Sequence, residues 1–404
     1  MHRSSPVPFA FALALLAVPS ARAELPLPAY PDCGKTADLN GCPSDAGDWT
    51  LWNFTPSQLL GVIEPEEVEL GIGNAVLPAW QVTTGRWQEL VAVADSGILW
   101  QTSGLARKVF LNAGELPLPQ DANGVAAATH DMDGNGLVNI SDYALDPRVS
   151  NAGGDDAADH MLDPSDLLAA FSDGTDDDGN GYIDDIAGWD FFEGDNNPFA
   201  TNESNYGDHG SGVMRDAVEE GEDGGRLGVC PNCAVLPIRV GDSFVTTGAH
   251  VAQAIVFASE HRAVSLGMAL GGMTDHAFVR AAVDLAWERG LLIVAAAGDE
   301  TSFHRNWPGA NARILSVHSV GATGRDDWES SSSFLRFVNC NNFGGRIDLV
   351  AVTNNTCATG AVSRIAGAVG LLQSAAVEQL GARLSPGAIA TLLETSATDI
   401  DLPD

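Results

Sequence analysis

Asp95, His209 and Thr359 supply an acid, a base and a hydroxyl, each at a point where the chain changes direction. Asp95 closes the apolar run Leu90-Val91-Ala92-Val93-Ala94 and precedes Ser96-Gly97, the pattern of a buried strand delivering a carboxylate to its carboxyl end. His209 lies in Asp208-His209-Gly210-Ser211-Gly212, an imidazole on a tight turn that enters a helix. Thr359 lies in Thr356-Cys357-Ala358-Thr359-Gly360-Ala361. An Ala/Gly/Leu/Val-rich run through Leu372 follows, suited to a helix buried on nearly all sides. Singly these are a turn aspartate, a loop histidine and a capping threonine. Together they are the parts of an acyl transfer. The base takes the hydroxyl's proton, the acid orients the base, and free N–H groups at the helix start receive the developing charge.

A second chemistry lies in two acidic loops. Asp131, Asp133, Asn135, Asn139 and Asp142 fall at positions 1, 3, 5, 9 and 12 of a calcium loop, with Gly136 at 6 and the Leu137 carbonyl at 7. Calcium needs six to eight oxygens, and the glycine permits the sharp turn that converges them. Asp142 stands where a bidentate Glu is usual, which resembles dockerin-type loops. The second loop places Asp176, Asp178, Asn180, the Tyr182 carbonyl and Asp184 in the same way, but has Ala187 at position 12. Asp190 and Asp195 are further candidate ligands.

The elements that would position these groups follow from hydrophobic runs. Residues 235–240, 264–270 and 291–297 read as buried strands, and residues 247–260 and 275–289 as helices between them. Alternation at this spacing means an α/β fold, a parallel sheet with helices on both faces. Ligands gather at the carboxyl ends of such strands.

Of 404 residues, 45% are hydrophobic, so the chain is globular, and its formal charge of −34 excludes nucleic acid or anionic lipid as partners of its bulk field. Arg3, an apolar stretch over residues 8–18 and Ala21-Arg22-Ala23 form a secretory signal with a cleavage site before Glu24. That stretch is too short to span a bilayer, and no later segment is expected to do so. The organisation expected is a signal at 1–23, an extended arm or short leader at 24–75, and one domain at 76–404 with an acidic insertion at about 120–198. An exported, monomeric protein is implied. The six cysteines favour disulfides in that compartment. Cys33–Cys42 is the local pair and Cys340–Cys357 a second. Cys230-Pro-Asn-Cys233 could be a redox pair or half a zinc site, but without a second pair at zinc spacing it is better read as a structural bridge.

The order acid, base, hydroxyl is that of subtilisin, and the surrounding segments resemble the subtilisin-like serine peptidases. PAWQVTTGRWQELVAVADSGI resembles the segment of the family's acid, and DHGSGVM its histidine motif. LPIRV, SLGMALGG and LLIVAAAGDE resemble its core strands and oxyanion segment. CATGAVSRIAGAVGLL resembles its nucleophile helix, and DDDGNGYIDDIAGWDFF an insertion found in bacterial members. The resemblance covers about residues 76–400. It implies a calcium-binding, secreted endopeptidase acting through Asp95, His209 and a nucleophile. Extended peptide or protein substrate would lie along residues 265–272, against Met268, Ala269, Leu270 and Gly271. Small residues at 295–298, Ala296 and Gly298 among them, would line the primary specificity pocket.

The departures bear on activity. Thr359 stands at the nucleophile in place of Ser, and its methyl group restricts the rotamer and crowds a site shaped for serine. Asp299 stands at the oxyanion position in place of Asn. It can donate only when protonated, with a reference pKa of about 3.9, whereas His209 accepts a proton only above about 6.5. The sedolisins, which share this fold, do use an oxyanion Asp, but they replace the histidine by a carboxylic acid. Other changes are Cys357-Ala358 for Gly-Thr, Ser363-Arg364 for Pro-His, Gly212 and Arg215 in the histidine motif, and Ala269 for Ser. Three functions are therefore in play: an inactive homologue that still binds peptide, an endopeptidase using Thr359, and a calcium-dependent adhesion or assembly module.

Overall fold

Val91–Asp95 is buried at all five positions, as are Val235–Arg239 and Leu292–Ala296. Runs of this kind can pair only inside a sheet covered on both faces. In the computed structural model they do so. The structure describes residues 51, 74–154, 160–200, 208–221, 227–242, 246–321, 336–337, 340–343, 346–353 and 357–397. The signal at 1–23, nearly all of the arm at 24–75, and Cys33 and Cys42 lie outside these residues.

In chain order the elements are α1 (Val76–Trp80), β1 (Val91–Asp95), α2 (Ser103–Ala106), a 3-10 turn (Ile140–Tyr143), α3 (Pro164–Phe171), β2 (Trp189–Asp190) and α4 (His209–Val218). There follow β3 (Val235–Arg239), α5 (Gly248–Glu260), β4 (Ser265–Met268), α6 (Ala277–Glu288), β5 (Leu292–Ala296), β6 (Ile314–Gly321), β7 (Arg336–Phe337), β8 (Leu349–Thr353), α7 (Ala358–Leu380) and α8 (Pro386–Ser396). Strands β2-β3-β1-β4-β5-β6-β8 run parallel, with the short β7 antiparallel on β6. The register aligns Asp95 with Arg239 and Met268 with Ala295, so the carboxyl ends of the central strands form one rim.

Alternate residues of β1 serve opposite faces. Val91 and Val93 join α4 and α7 in one core, while Ala92 and Ala94 join α5 and α6 in the other. The sequence places the intervening helices and strands correctly to within a few residues. It does not place the parallel strands β6 and β8, which complete the floor beneath α7. One expectation is corrected: α7 is long and apolar enough to cross a membrane. However, 78% of its most apolar window is buried in the fold. A helix with sheet on one side and α4 on another needs apolar side chains nearly all round.

Two disulfides form among the described residues, Cys230–Cys233 and Cys340–Cys357. Beside the first, the fully buried Lys108 donates to the Pro231 carbonyl (2.6 Å) and lies over the Trp87 ring. Burial lowers its pKa to about 7, against the opposing pull of Glu220. The unfolded chain, with lysine near 10.4, binds the extra proton between these two values, so stability rises with pH from about 7 to 10. Urea titrations across that range will show the rise, and Lys108→Met will flatten it.

Candidate active site

The three residues picked out by type converge above the carboxyl end of β1. His209 Nδ1 lies 2.6 Å from Asp95 Oδ1, and His209 Nε2 lies 3.3 Å from Thr359 Oγ1. Asp95 ends β1, His209 opens α4, and Thr359 is the second residue of α7. The Ser96 N–H donates to Asp95 Oδ1 (2.7 Å), the same oxygen that faces the imidazole, and so helps to hold the carboxylate in place. Gly210 lets the start of α4 close on β1. A Cβ there would meet the Gly97 carbonyl oxygen at 2.2 Å, and the Gly210 N–H instead donates to Ser96 Oγ (3.0 Å). Burial alone would lower the pKa of His209, but the Asp95 carboxylate outweighs it, with Asp208 and Asp299 adding to the same effect, and the pKa is raised. The imidazole is thus a base only above the ordinary histidine range.

Asp299 follows the β5 terminus and turns to the start of α7, where the Ala358 N–H donates to its Oδ1 (2.9 Å). The residue is exposed at the rim, but its carboxylate is crowded against the helix. Desolvation pushes its pKa above the carboxylate range, and Glu300 adds to this. The Ala358 hydrogen bond and His209 pull the other way. The acceptor oxygen of a carboxylate therefore occupies helix-start N–H capacity at the very position where an oxyanion would seek it.

The segment carrying Asp299 is braced by a piece of chain the sequence did not single out. Asn342 Oδ1 accepts from the Glu300 and Ser302 N–H groups (3.0 and 3.1 Å), and the Asn342 N–H donates to the Gly298 carbonyl (3.0 Å). The Cys340–Cys357 bridge joins this brace to the residue that caps α7. The unusual Arg364 also has a role: it donates to Asp216 Oδ2 (2.6 Å) and to the Gly360 carbonyl (3.2 Å), tying α7 to α4.

Two further stretches of chain lie at the carboxyl ends of β4 and β5. Registered pairing of β4 ends at Met268, and the chain continues through Ala269, Leu270 and Gly271 until Gly272 pairs with Trp307. Opposite run Ala296 and Gly298, at and just past the end of β5.

The acidic loops lie on the insertion. In the first, carboxylate oxygens of Asp131, Asp133 and Asp142 lie within 4.8 Å of one another. Asn135 and Asn139 point into local turns, accepting from the Leu137 and Ser141 N–H groups. In the second, Asp176 and Asp178 are joined by Glu115 at the same spacing. Glu115 is buried and accepts from the Asp178 and Asp184 N–H groups (2.9 and 3.2 Å). Asn180 donates to Asp178 and Asp185. Tyr182, its ring against Trp189 and Phe257, anchors the loop to the core. The Asp184 carboxylate instead accepts from the Asp173 and Gly174 N–H groups (3.0 and 2.8 Å). Asp190 is taken by Arg239 (2.7 Å). Glu115 lay beyond sequence reasoning because it is 63 residues from Asp178 and belongs to no loop pattern. Both groups offer only hard oxygen donors, several of them charged, which is the donor chemistry of Ca2+.

The chain is 29% identical to thermitase of Thermoactinomyces vulgaris over 41% of its own length and 54% of thermitase. It is 26% identical to the major intracellular serine protease of Bacillus subtilis (strain 168), over 49% of this chain and 65% of that one. The chain thus spans between about half and two thirds of these relatives. Among solved structures, the prenylagaramide maturation protease PagA overlaps 81% of this chain and 90% of its own, with 16% identity and a TM-score of 0.47. The match to the family described as the subtilase family runs over residues 88–402, from just before β1 to beyond α8. With Asp95 at the end of β1 meeting His209 and Thr359 at the starts of α4 and α7, in the order described above, this chain belongs to the subtilase family.

Proposed function

We propose that this protein is an exported, calcium-stabilised subtilase that holds extended peptide in its cleft and in which hydrolysis is slow or lost. The observation that carries the reading is the meeting of Asp299 with the start of α7, 2.9 Å from Oδ1 to the Ala358 nitrogen, beside an otherwise assembled triad. For attack, Thr359 Oγ1 passes its proton to His209 Nε2 and bonds to the scissile carbonyl carbon, whose oxygen becomes negative. That oxygen would have to form beside Asp299. An ionised carboxylate repels it, and by the reference values of about 3.9 and 6.5 an aspartate protonates only where a histidine is already charged.

Peptide binding needs none of this. Residues 269–271 lie between the end of the β4 ladder and the Gly272–Trp307 pair, where an extended chain can add by backbone hydrogen bonds. Calcium in the two loops, held by Asp131, Asp133 and Asp142 and by Asp176, Asp178 and Glu115, would pin the insertion to the sheet. The disulfides suit an oxidising compartment, and export should leave Glu24 as the first residue. The 3.3 Å approach of Thr359 to His209 favours a second reading, a slow threonine endopeptidase. Casein turnover by the purified protein that disappears in Thr359→Ala would establish that second reading. Peptide affinity without turnover, retained in Thr359→Ala, is the expected result. The absence of both would reject the cleft as a binding site and leave an adhesion role for the calcium loops.

A further inference from the structure

The two disulfides among the described residues differ in exposure and in what they hold. Cys230 and Cys233 are fully buried. A Cβ at Gly85 would lie 2.3 Å from Cys230 Sγ, and one at Gly370 would lie 2.9 Å from Cys233 Sγ, so the chain closes over both sulfurs. Cys340 and Cys357 are half-exposed, and each end of their bridge serves a different part of the site. On one side the Thr301 N–H donates to the Cys340 carbonyl (3.2 Å) and the Phe343 N–H to the Ser302 carbonyl (3.1 Å). With the Asn342 brace, these bonds rest the segment carrying Asp299 on residues 340–343. On the other side Cys357 precedes the first turn of α7, two residues before Thr359, and no side-chain hydrogen bond caps that helix. A helix start without such a cap frays unless something else holds it. Here the Ser319 hydroxyl donates to the Cys357 carbonyl (2.6 Å), and the covalent bridge fixes the residue itself. Further along, α7 is held independently: Ala361, Val362, Ile365 and Ala366 are buried in the core, and Arg364 reaches Asp216.

We propose that the Cys340–Cys357 bridge is a redox latch on the cleft. Closed, it holds the Thr359 turn of α7 against the segment carrying Asp299; open, that turn loosens and the cleft releases peptide. The inference rests on the cleft reading above and adds its regulation. Opening is thiol–disulfide exchange with a dithiol. A thiolate of the reductant attacks one sulfur of the bridge, and the other sulfur leaves as a thiolate and takes up a proton. The second thiol of the reductant then displaces the first cysteine. Two electrons and two protons pass to the bridge, and the dithiol departs as a disulfide. The reverse exchange, with a disulfide-bearing oxidant, closes the latch. A half-exposed bridge admits the incoming thiolate, whereas the buried Cys230–Cys233 bridge is screened from it. A chain still in a reducing compartment would therefore carry a loose cleft, and export into an oxidising one would complete it.

The full-length protein is reduced with increasing dithiothreitol, alkylated and mapped by mass spectrometry. Cys340 and Cys357 should be labelled before Cys230 and Cys233. In that state amide hydrogen exchange at residues 298–302 and 358–361 should quicken at least about tenfold, while residues 365–375 of α7 keep their protection. Affinity for fluorescein-labelled tryptic peptides of casein, read by anisotropy, should fall at least about tenfold and return once oxidised glutathione closes the bridge. Cys340→Ser combined with Cys357→Ser should match the reduced protein and ignore added dithiothreitol. Where that variant is too unstable, reduction and reoxidation of the wild type decide alone. The latch is overturned if the buried bridge opens first, if exchange around Thr359 is unchanged on reduction, or if both redox forms bind peptide equally. Exchange that rises through the whole of α7 also overturns it, as the mark of a purely structural staple. If exchange changes as expected but neither form binds peptide, it is the cleft reading that fails, and the latch on the Thr359 turn is upheld.

Discussion

Thr359→Ser combined with Asp299→Asn will raise casein hydrolysis at least ~10²-fold over the unaltered protein. In subtilisin, loss of the single amide donor at this position costs about 10²–10³ in turnover. Here the same position carries a charge as well as lacking the donor, so restoring the amide should recover no less. The supporting geometry is in place: Asp95 and His209 are 2.6 Å apart, Asn342 braces residues 298–302, and α7 is tied to α4 through Arg364. The double variant should rise in rate as His209 loses its proton, above pH 6.5, because the folded pKa of that imidazole is raised. The pH dependence of stability has a definite sign. A carboxyl whose folded pKa is raised favours folding while protonated, and that contribution is lost as pH climbs through the folded value. Asp299→Asn should therefore gain melting temperature relative to wild type at neutral pH and lose that advantage in acid. If the double variant is no faster than wild type, something other than these two side chains blocks turnover.

Chelation should lower the melting temperature by ~3–6 °C per calcium loop. An ion present at 100 to 1,000 times its dissociation constant contributes about 2.7–4.1 kcal/mol, and each kcal/mol corresponds to about 2–4 °C in a domain of 150–250 residues, somewhat less in a larger one. The two loops can be separated. Glu115→Gln removes a carboxylate from the second cluster only, and Asp142→Asn acts on the first only. Each single variant should retain about half of the calcium-dependent shift, and the pair should melt at one temperature with or without the ion. Calorimetry with EGTA and with added Ca2+ measures this directly, and a melt indifferent to chelation would remove calcium from the proposed function.

Much of this architecture was legible because it is local. The apolar run before Asp95 could only be a strand buried on both faces, and the small-residue run after Thr359 only a helix enclosed on most sides. The glycines around His209 marked a tight entry to α4. The spacing of Asp131, Asp133 and Asp142 marked a loop whose carboxylates the fold brings within 4.8 Å. What escaped was set by contacts between distant residues. Strand β6 carries Ser316, His318 and Ser319 among its apolar residues and so lacks a clean run. Arg364 reads as a damaged motif until Asp216, 148 residues away, is seen to receive it.

Residue type and spacing were sufficient to single out Asp95, His209, Thr359 and the first acidic loop, because each is a property of a few consecutive residues. Which carboxylate joins the second loop, which amide lies between Gly271 and Ala296 and where the Asp299 carboxylate rests depended on the folded chain. Glu115, Asn306 and Asp299 each meet partners contributed by other elements of the fold. Hydrogen bonds and steric exclusion act over a few ångströms, so no local pattern could encode those meetings before the sheet and its helices had brought the residues together.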